Sequence, residues 1–236
     1  MRFRSIMIVC IAATCFIRGA TAQILVTDDF ENGVLNTGIW TTPLEDQAAL
    51  VENGGRLRFC TLGDNTNYSH FAKWSCKKTF SSATYKFAEA QVLVRMKEGT
   101  GAGSQVLYAG VQFLRTNAMG VVYLALNQTA GRTYFFVQAQ GPNPLLGFSR
   151  GYEVPVASRQ YYLKLRYFHD TGLVSFWWRL PDNPEWTRVC KSTNLKTLWS
   201  NPPVIGFRPG IYGQAGKKLV PLAEGVYMDH FLFVAR

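Results

Sequence analysis

The stretch Ala88-Glu89-Ala90-Gln91-Val92-Leu93-Val94-Arg95-Met96 decides the fold class. Ala88, Ala90, Val92, Val94 and Met96 form an apolar series, with Glu89, Gln91, Leu93 and Arg95 between them. Successive side chains of a strand point to opposite faces, so a period of two marks a strand with one face buried. The same pattern recurs on both sides. Leu107, Ala109, Val111 and Phe113 alternate with Tyr108, Gly110 and Gln112. Asn117–Gly120 then turns the chain into Val121–Leu126, where Tyr123 stands opposite Val122 and Leu124. A further turn is expected over Asn127–Gly131, leading into Tyr134–Gln140. Tyr161–Phe168 and Leu173–Leu180 are joined by His169-Asp170-Thr171-Gly172, a hairpin signal. Near the end, Ile205, Phe207 and Ile211 alternate with Arg208, Tyr212 and Gln214. Helical periodicity is nearly absent. The expectation is an all-β chain whose antiparallel strands form a two-sheet β-sandwich.

The N-terminus follows a different rule. Arg2 and Arg4 precede an apolar run over Ile6–Ile17, and Ala20-Thr21-Ala22 is a small-x-small cleavage site. Residues 1–22 therefore fit a secretory signal, leaving 23–236 as one domain that begins at Gln23. No later apolar run approaches the roughly 20 residues that span a bilayer, so no membrane partner is expected. The signal holds three of the 25 basic residues and none of the 15 acidic ones, so the mature chain carries +7. That excess is scattered, without the basic runs of a nucleic-acid tail. Outside a cell its natural partners are acidic glycans or matrix polyanions. Cys60, Cys76 and Cys190 remain after cleavage. Cys60 and Cys76 flank a turn-rich stretch, so a Cys60–Cys76 disulfide is expected, with Cys190 unpaired. With no C-x-x-C pair and isolated His70, His169 and His230, a zinc site is not expected.

Four ordered segments resemble the concanavalin A-like lectin/glucanase superfamily, with its laminin G-like or jelly-roll sandwich. They are Asp28-Asp29-Phe30-Glu31-Asn32-Gly33 with Leu35 and Trp40, Glu52–Phe59 around Gly54-Gly55, Tyr162–Leu165 through Trp186–Val189, and Ile205-Gly206-Phe207 with Val226–Phe231. The resemblance implies that Asp29 and Asp229, with a carbonyl near Gly54, hold a structural calcium ion. Oxygen ligands from several strands suit that ion. Phe30 and Trp40 are expected as core plugs, and Gly54-Gly55 as a tight turn.

The glucanase branch places catalytic carboxylates in Glu-x-Asp-x-x-Glu, whereas Glu89 is followed by Gln91 and Leu93, so that mechanism is excluded. Phe207–Gln214 resembles the alginate-lyase motif F-K-A-G-x-Y-x-Q. By that resemblance Tyr212 is the proton donor, Arg208 and Gln214 contact substrate, and Gln112 matches a Gln-x-His motif. Position 114 is Leu, so the histidine is missing. A tyrosine without neutralising partners is a poor base near neutral pH. The favoured expectation is a secreted, lectin-like binder of acidic polysaccharide, using Arg208, Tyr212, Gln214, Arg166, Trp177 and Arg95. Aromatic faces stack on sugar rings and arginine forks pair with carboxylate or sulfate. A matrix or biomineral-associated structural protein and a polysaccharide lyase are the alternatives. Two sequons, at Asn67 and Asn127, are expected on turns as glycosylation acceptors.

Overall fold

The computed structural model describes residues 23–46, 48–62, 70–96, 107–129, 132–155, 158, 160–215 and 226–236. In chain order its first strands are β1 (Ile24–Asp28), β2 (Leu44–Asp46), β3 (Ala48–Glu52), β4 (Leu57–Thr61), β5 (His70–Ser75) and β6 (Phe80–Ser81). Next come β7 (Phe87–Met96), β8 (Leu107–Arg115), β9 (Val121–Thr129), β10 (Arg132–Gln140) and β11 (Phe148–Glu153). The last are β12 (Gln160–Phe168), β13 (Leu173–Arg179), β14 (Thr187–Arg188), β15 (Thr193–Asn194), β16 (Gly206–Ala215) and β17 (Val226–Ala235).

They form two antiparallel sheets, as the alternation predicts. The nine-stranded sheet runs β14-β13-β12-β7-β17-β4-β3, with β1 on β17 and β15 on β13. The eight-stranded sheet runs β11-β10-β9-β8-β16-β5-β2, with β6 on β16. Strand β7 buries every second residue. The hairpin between β12 and β13 pairs Phe168 with Leu173, and Gly172 has φ 67°, a conformation that costs glycine little. Gly54 and Gly55, at φ 62° and 71°, make the expected turn between β3 and β4.

Aromatic rings fasten the sheets together at three places. Tyr167 of one sheet meets Phe80 and Phe207 of the other at 5.4 and 5.7 Å. Phe135 meets Tyr161 and Trp178 at 5.3 and 5.5 Å. Trp40 lies between Trp74, at 5.7 Å, and Phe231, at 4.9 Å, with Phe30 stacked at 6.1 Å. Each ring removes a large apolar area from water, and edge or offset contacts add about 1 kcal/mol per pair.

The third cluster contains a carboxylate. Asp28 is buried, its Oδ2 accepting from Nε1 of Trp40 at 2.6 Å and its Oδ1 from the Phe30 N–H at 2.9 Å. Glu52 is buried nearby, and neither of its oxygens makes a hydrogen bond of good geometry. Burial and the charge of Asp28 push its carboxyl above the ordinary 4.5, tempered by the N–H groups of Val34 and Gly33.

Two expectations are corrected. Cys60, Cys76 and Cys190 are all free thiols. Cys76 lies in the interior cluster, whereas Cys60 follows the inward-facing Phe59 and so points out of the opposite face of β4. That separates the two sulfurs. Asn127 is not on a turn, because β9 continues to Thr129 and pairs Asn127 with Tyr108 and Tyr134. It is fully buried, which closes it to glycan attachment in the folded chain. Asn67 and residues 1–22 lie outside the described residues.

A raised carboxyl pKa sets a pH signature. The folded chain holds the Glu52 proton to higher pH than the unfolded chain, so this contribution is present below 4.5 and lost as pH rises through the folded value. Glu52→Gln should therefore raise Tm at pH 7 by about 2–4 °C, the shift that ~1 kcal/mol gives a domain of this size. The gain should shrink as melts are repeated toward pH 4.5, and an equal gain at every pH would contradict the assignment.

Candidate functional site on the eight-stranded sheet

The alternation that turns Phe207, Ile211 and Ala215 of β16 inward turns Arg208, Gly210, Tyr212 and Gln214 outward. Cross-strand register then sets their neighbours. Lys73, Tyr212, Gly110, Ala125, Phe136 and Gly151 form one row across the sheet. Phe71, Gln214, Tyr108, Asn127 and Tyr134 form the row on one side. Ser75, Gly210, Gln112, Tyr123 and Gln138 form the row on the other. Beyond these, Arg208 aligns with Leu114 and Val121.

The floor is glycine-lined because neighbouring strands approach closely. A methyl on Gly110 would run into the Leu124 carbonyl, and one on Gly210 into the Trp74 carbonyl. Around this floor Tyr212 packs edge-on to Tyr123 at 4.9 Å, and Tyr108 lies 4.6 Å from Phe136. The Tyr212 hydroxyl donates to Oε1 of Gln214 at 2.6 Å, and Nε2 of Gln112 donates to the Ile211 carbonyl at 3.4 Å. Burial and then Tyr108 push the Tyr212 phenol far above its ordinary value. Burial lowers the Lys73 ammonium. Asn127 is buried on this face beside the Tyr108 hydroxyl, and the Tyr123 hydroxyl is buried without a hydrogen bond of good geometry.

At the Arg208 end the face opens into two joined hollows. One, of about 450 Å³, is lined by Lys73, Ser75, Arg115, Asn117 and Arg208. The other, of about 580 Å³, is lined by Met119, Val121, Gln140, Pro144 and Phe148. Leu114 and Gly120 belong to both, so the hollows make one groove across the strands. No Asp or Glu lines either hollow among the described residues.

The expected binding set is divided by the fold. Arg208, Tyr212, Gln214 and Gln112 share this face. Arg95, Arg166 and Trp177 lie on the outer face of the other sheet, where Arg166 pairs with Glu89 at 2.7 Å and Nε1 of Trp177 donates to Ser175 at 2.8 Å. Tyr123 points outward as expected but is covered by its aromatic neighbours. Lys73, Arg115 and Tyr108 are groove or floor residues absent from the sequence-based set. Only Tyr108 stood within a recognised alternation.

No protein-family model matches the sequence, and no curated protein matches it. The structure, in contrast, superposes on a winged bean acidic lectin complexed with methyl-α-D-galactose, at a TM-score of 0.59 and 9% identity over 90% of this chain and 98% of that one. Lectin UEA-II complexed with galactose gives 0.55 at 12% identity, over 89% and 98%. This is a concanavalin A-like fold. A GH43 protein, BlXynB of Bacillus licheniformis, gives 0.57 at 15% identity, the match covering 89% of this chain and 39% of that protein. At such identities the shared property is the jelly-roll sandwich itself.

Within this jelly roll the calcium expectation is tested by its own residues. Asp29 and Asp229 do come together, because β1 pairs with the last strand. They meet on a histidine: Nδ1 of His230 lies 3.2 Å from Asp29 and 3.7 Å from Asp229. Asp229 Oδ1 also accepts from the His230 N–H at 2.8 Å, and the charge of Arg56 acts on the same carboxylate. Gly54 sits in its turn, where a methyl group would meet the Arg58 guanidinium at 3.4 Å. Calcium wants six to eight oxygens, and an imidazole with arginines alongside does not supply them. No group of three or more His, Cys, Asp or Glu among the described residues forms a metal cage. The arrangement does not fit calcium. Tm should be the same in millimolar calcium and in chelator, and Asp229→Ala should shift both melts equally. A calcium-dependent rise of several degrees would show that the pair swings away from His230 to take the ion.

Proposed function

We propose that the outer face of the eight-stranded sheet binds an acidic polysaccharide lying across the strands, without cleaving it. The supporting observation is the groove of two adjoining hollows, with Lys73, Arg115 and Arg208 at one end and no acidic residue among the described residues that line it. Cations at one end pair with carboxylate or sulfate, while Phe148 and the apolar hollow offer surface to sugar rings. The galactose carried by two of the similar lectins makes a sugar the natural class of ligand for such a sandwich. The setting we infer is extracellular, after removal of residues 1–22.

A lyase reading is less well supported. The Tyr212 phenol is held protonated by burial, and Leu114 stands beside Arg208 where the motif calls for histidine. β-Elimination needs a base for the sugar proton, and a phenol held protonated is a poor one near neutral pH. A matrix or biomineral-associated role uses the same polyanion affinity and is the second reading.

Binding of alginate and a sulfated polymer should be measurable and salt-sensitive, as screened charge pairs require. Arg208→Ala and Lys73→Ala should each weaken it about tenfold, the usual worth of one charge-assisted contact, without lowering Tm. Equal binding of neutral polymers would contradict the acidic assignment. Unsaturated sugar ends that disappear in Tyr212→Phe would establish the lyase. Secreted material should begin at Gln23 on N-terminal sequencing; a retained Met1 would overturn the export reading.

A further inference from the structure

Exposed apolar side chains collect at one end of the sandwich. Leu145 is 90% exposed, Met119 81%, Val204 46% and Leu146 45%. Register places them together. Gln140, at the end of β10, pairs with Val121, at the start of β9. The turn carrying Met119 and the turn carrying Leu145 and Leu146 therefore lie side by side. The Thr116 N–H donates to the Gly206 carbonyl at 3.1 Å, which brings the segment holding Val204 to the same end.

These tips stand on a fixed base. Oδ1 of Asn143 accepts from the Leu145 N–H at 3.0 Å, and the Gly147 N–H donates to the Pro144 carbonyl at 3.3 Å. That closed turn holds Leu145 outward. Beneath it Trp199 is fully buried, its Nε1 donating to the Gln140 carbonyl at 3.1 Å. A methyl on Gly120 or Gly141 would meet the same ring at 2.7 or 3.2 Å, so both turns rest on one indole. A single exposed leucine is ordinary, but a group of them on braced turns marks a contact surface.

Charge narrows what covers it. Residues 114–121, 139–149 and 200–209 contain no Asp or Glu. They do contain Arg115 and Arg208, and neither joins an ion pair among the described residues. Asp170, on the hairpin between β12 and β13, already has Lys86 and Lys196 acting with it on His169. A second copy of this chain would set the two arginines against their own counterparts, which disfavours self-association. The apolar side chains come from three separate segments, so a protein partner needs a shaped socket for each. Lipid headgroups need none, and an acidic bilayer supplies both apolar depth and negative charge. Surface contact of this kind does not require a helix long enough to span, and the described residues contain no such helix.

We propose that this end of the sandwich docks on an anionic lipid surface. Leu145, Leu146, Met119 and Val204 enter the headgroup boundary while Arg115 and Arg208 meet acidic headgroups. The contact shares those two arginines with the groove and adds Leu145, Leu146 and Val204, which polysaccharide binding does not use.

The probe is co-sedimentation with vesicles of phosphatidylcholine alone or of an equal mixture with phosphatidylserine. Wild type should sediment with the mixed vesicles and stay in solution with the neutral ones. The variant carrying Leu145→Ser and Leu146→Ser should bind the mixed vesicles at least about tenfold more weakly, as loss of two inserted leucines requires. Leu145→Ser alone should lose several-fold at unchanged Tm, and serves if the double variant does not fold. Both variants should keep alginate binding, so failure of this contact is distinguishable from failure of the groove. Unchanged vesicle binding in folded Leu145→Ser overturns the proposal, as does equal sedimentation with neutral vesicles or none with either. A dimer in sedimentation velocity that Leu145→Ser dissolves would show that a second copy covers this end, and would overturn it too.

Discussion

The hydrogen bond between the Trp40 indole and the buried Asp28 carboxylate holds the entry of the chain in place. Asp28 ends β1 and Trp40 follows in the loop beyond, so the bond closes the loop onto the sheet edge. That closure seats Phe30, Trp40, Trp74 and Phe231 in one cluster, which joins the last strand of one sheet to β5 of the other. A buried carboxylate accepting an indole N–H and a backbone N–H is satisfied at both oxygens. Glu52 beside it has no hydrogen bond of that quality, and burial raises its pKa.

The outer faces follow from that interior. Because each strand alternates, fixing the inward residues of β16 fixes Arg208, Tyr212 and Gln214 outward, and the same holds for Arg95 on β7. The strands set the rows of each face, and the connecting loops add Asn117, Met119 and Pro144 to the groove. The groove is cationic at one end and apolar at the other, whereas the opposite face sets its arginines among Glu89 and Asp229. The sandwich thus carries two surfaces of different character.

Period-two alternation made β7, β8, β12, β13 and β16 legible from sequence, because burial of one face writes directly into residue type. Phe30 and Trp40 were legible as core plugs from their large apolar rings near the chain entry, and Gly54-Gly55 as a turn from the conformational freedom of glycine. Sheet membership was not. Arg95, Arg166 and Trp177 resemble Arg208 and Tyr212 in chemistry, but only long-range pairing decides which face each joins. Asn127 was misjudged because a polar residue near Ala130-Gly131 looks like a turn, while β9 in fact carries it past the last apolar residue into the sheet. The cysteines were misjudged because proximity in sequence says nothing about which side of a strand a sulfur occupies. Lys73 went unnoticed because β5, with few aliphatic residues, hides its alternation.

Both sheets take a central strand from the end of the chain. β16 lies between β8 and β5, and β17 lies between β7 on one side and β4 and β1 on the other, with a bulge after Asp229 where His230 has φ 48°. Val226–Ala235 must therefore slot between segments made long before it, and β7, β4 and β1 lack that pairing until it has been synthesised. Such non-local pairing is slow to form, because the loops must close before their contacts stabilise anything. Until β16 and β17 emerge, the flanks of β8 and β7 that they pair with stay open. An open strand edge is a template for pairing with another chain, so that interval of biosynthesis is one in which this molecule is exposed to aggregation.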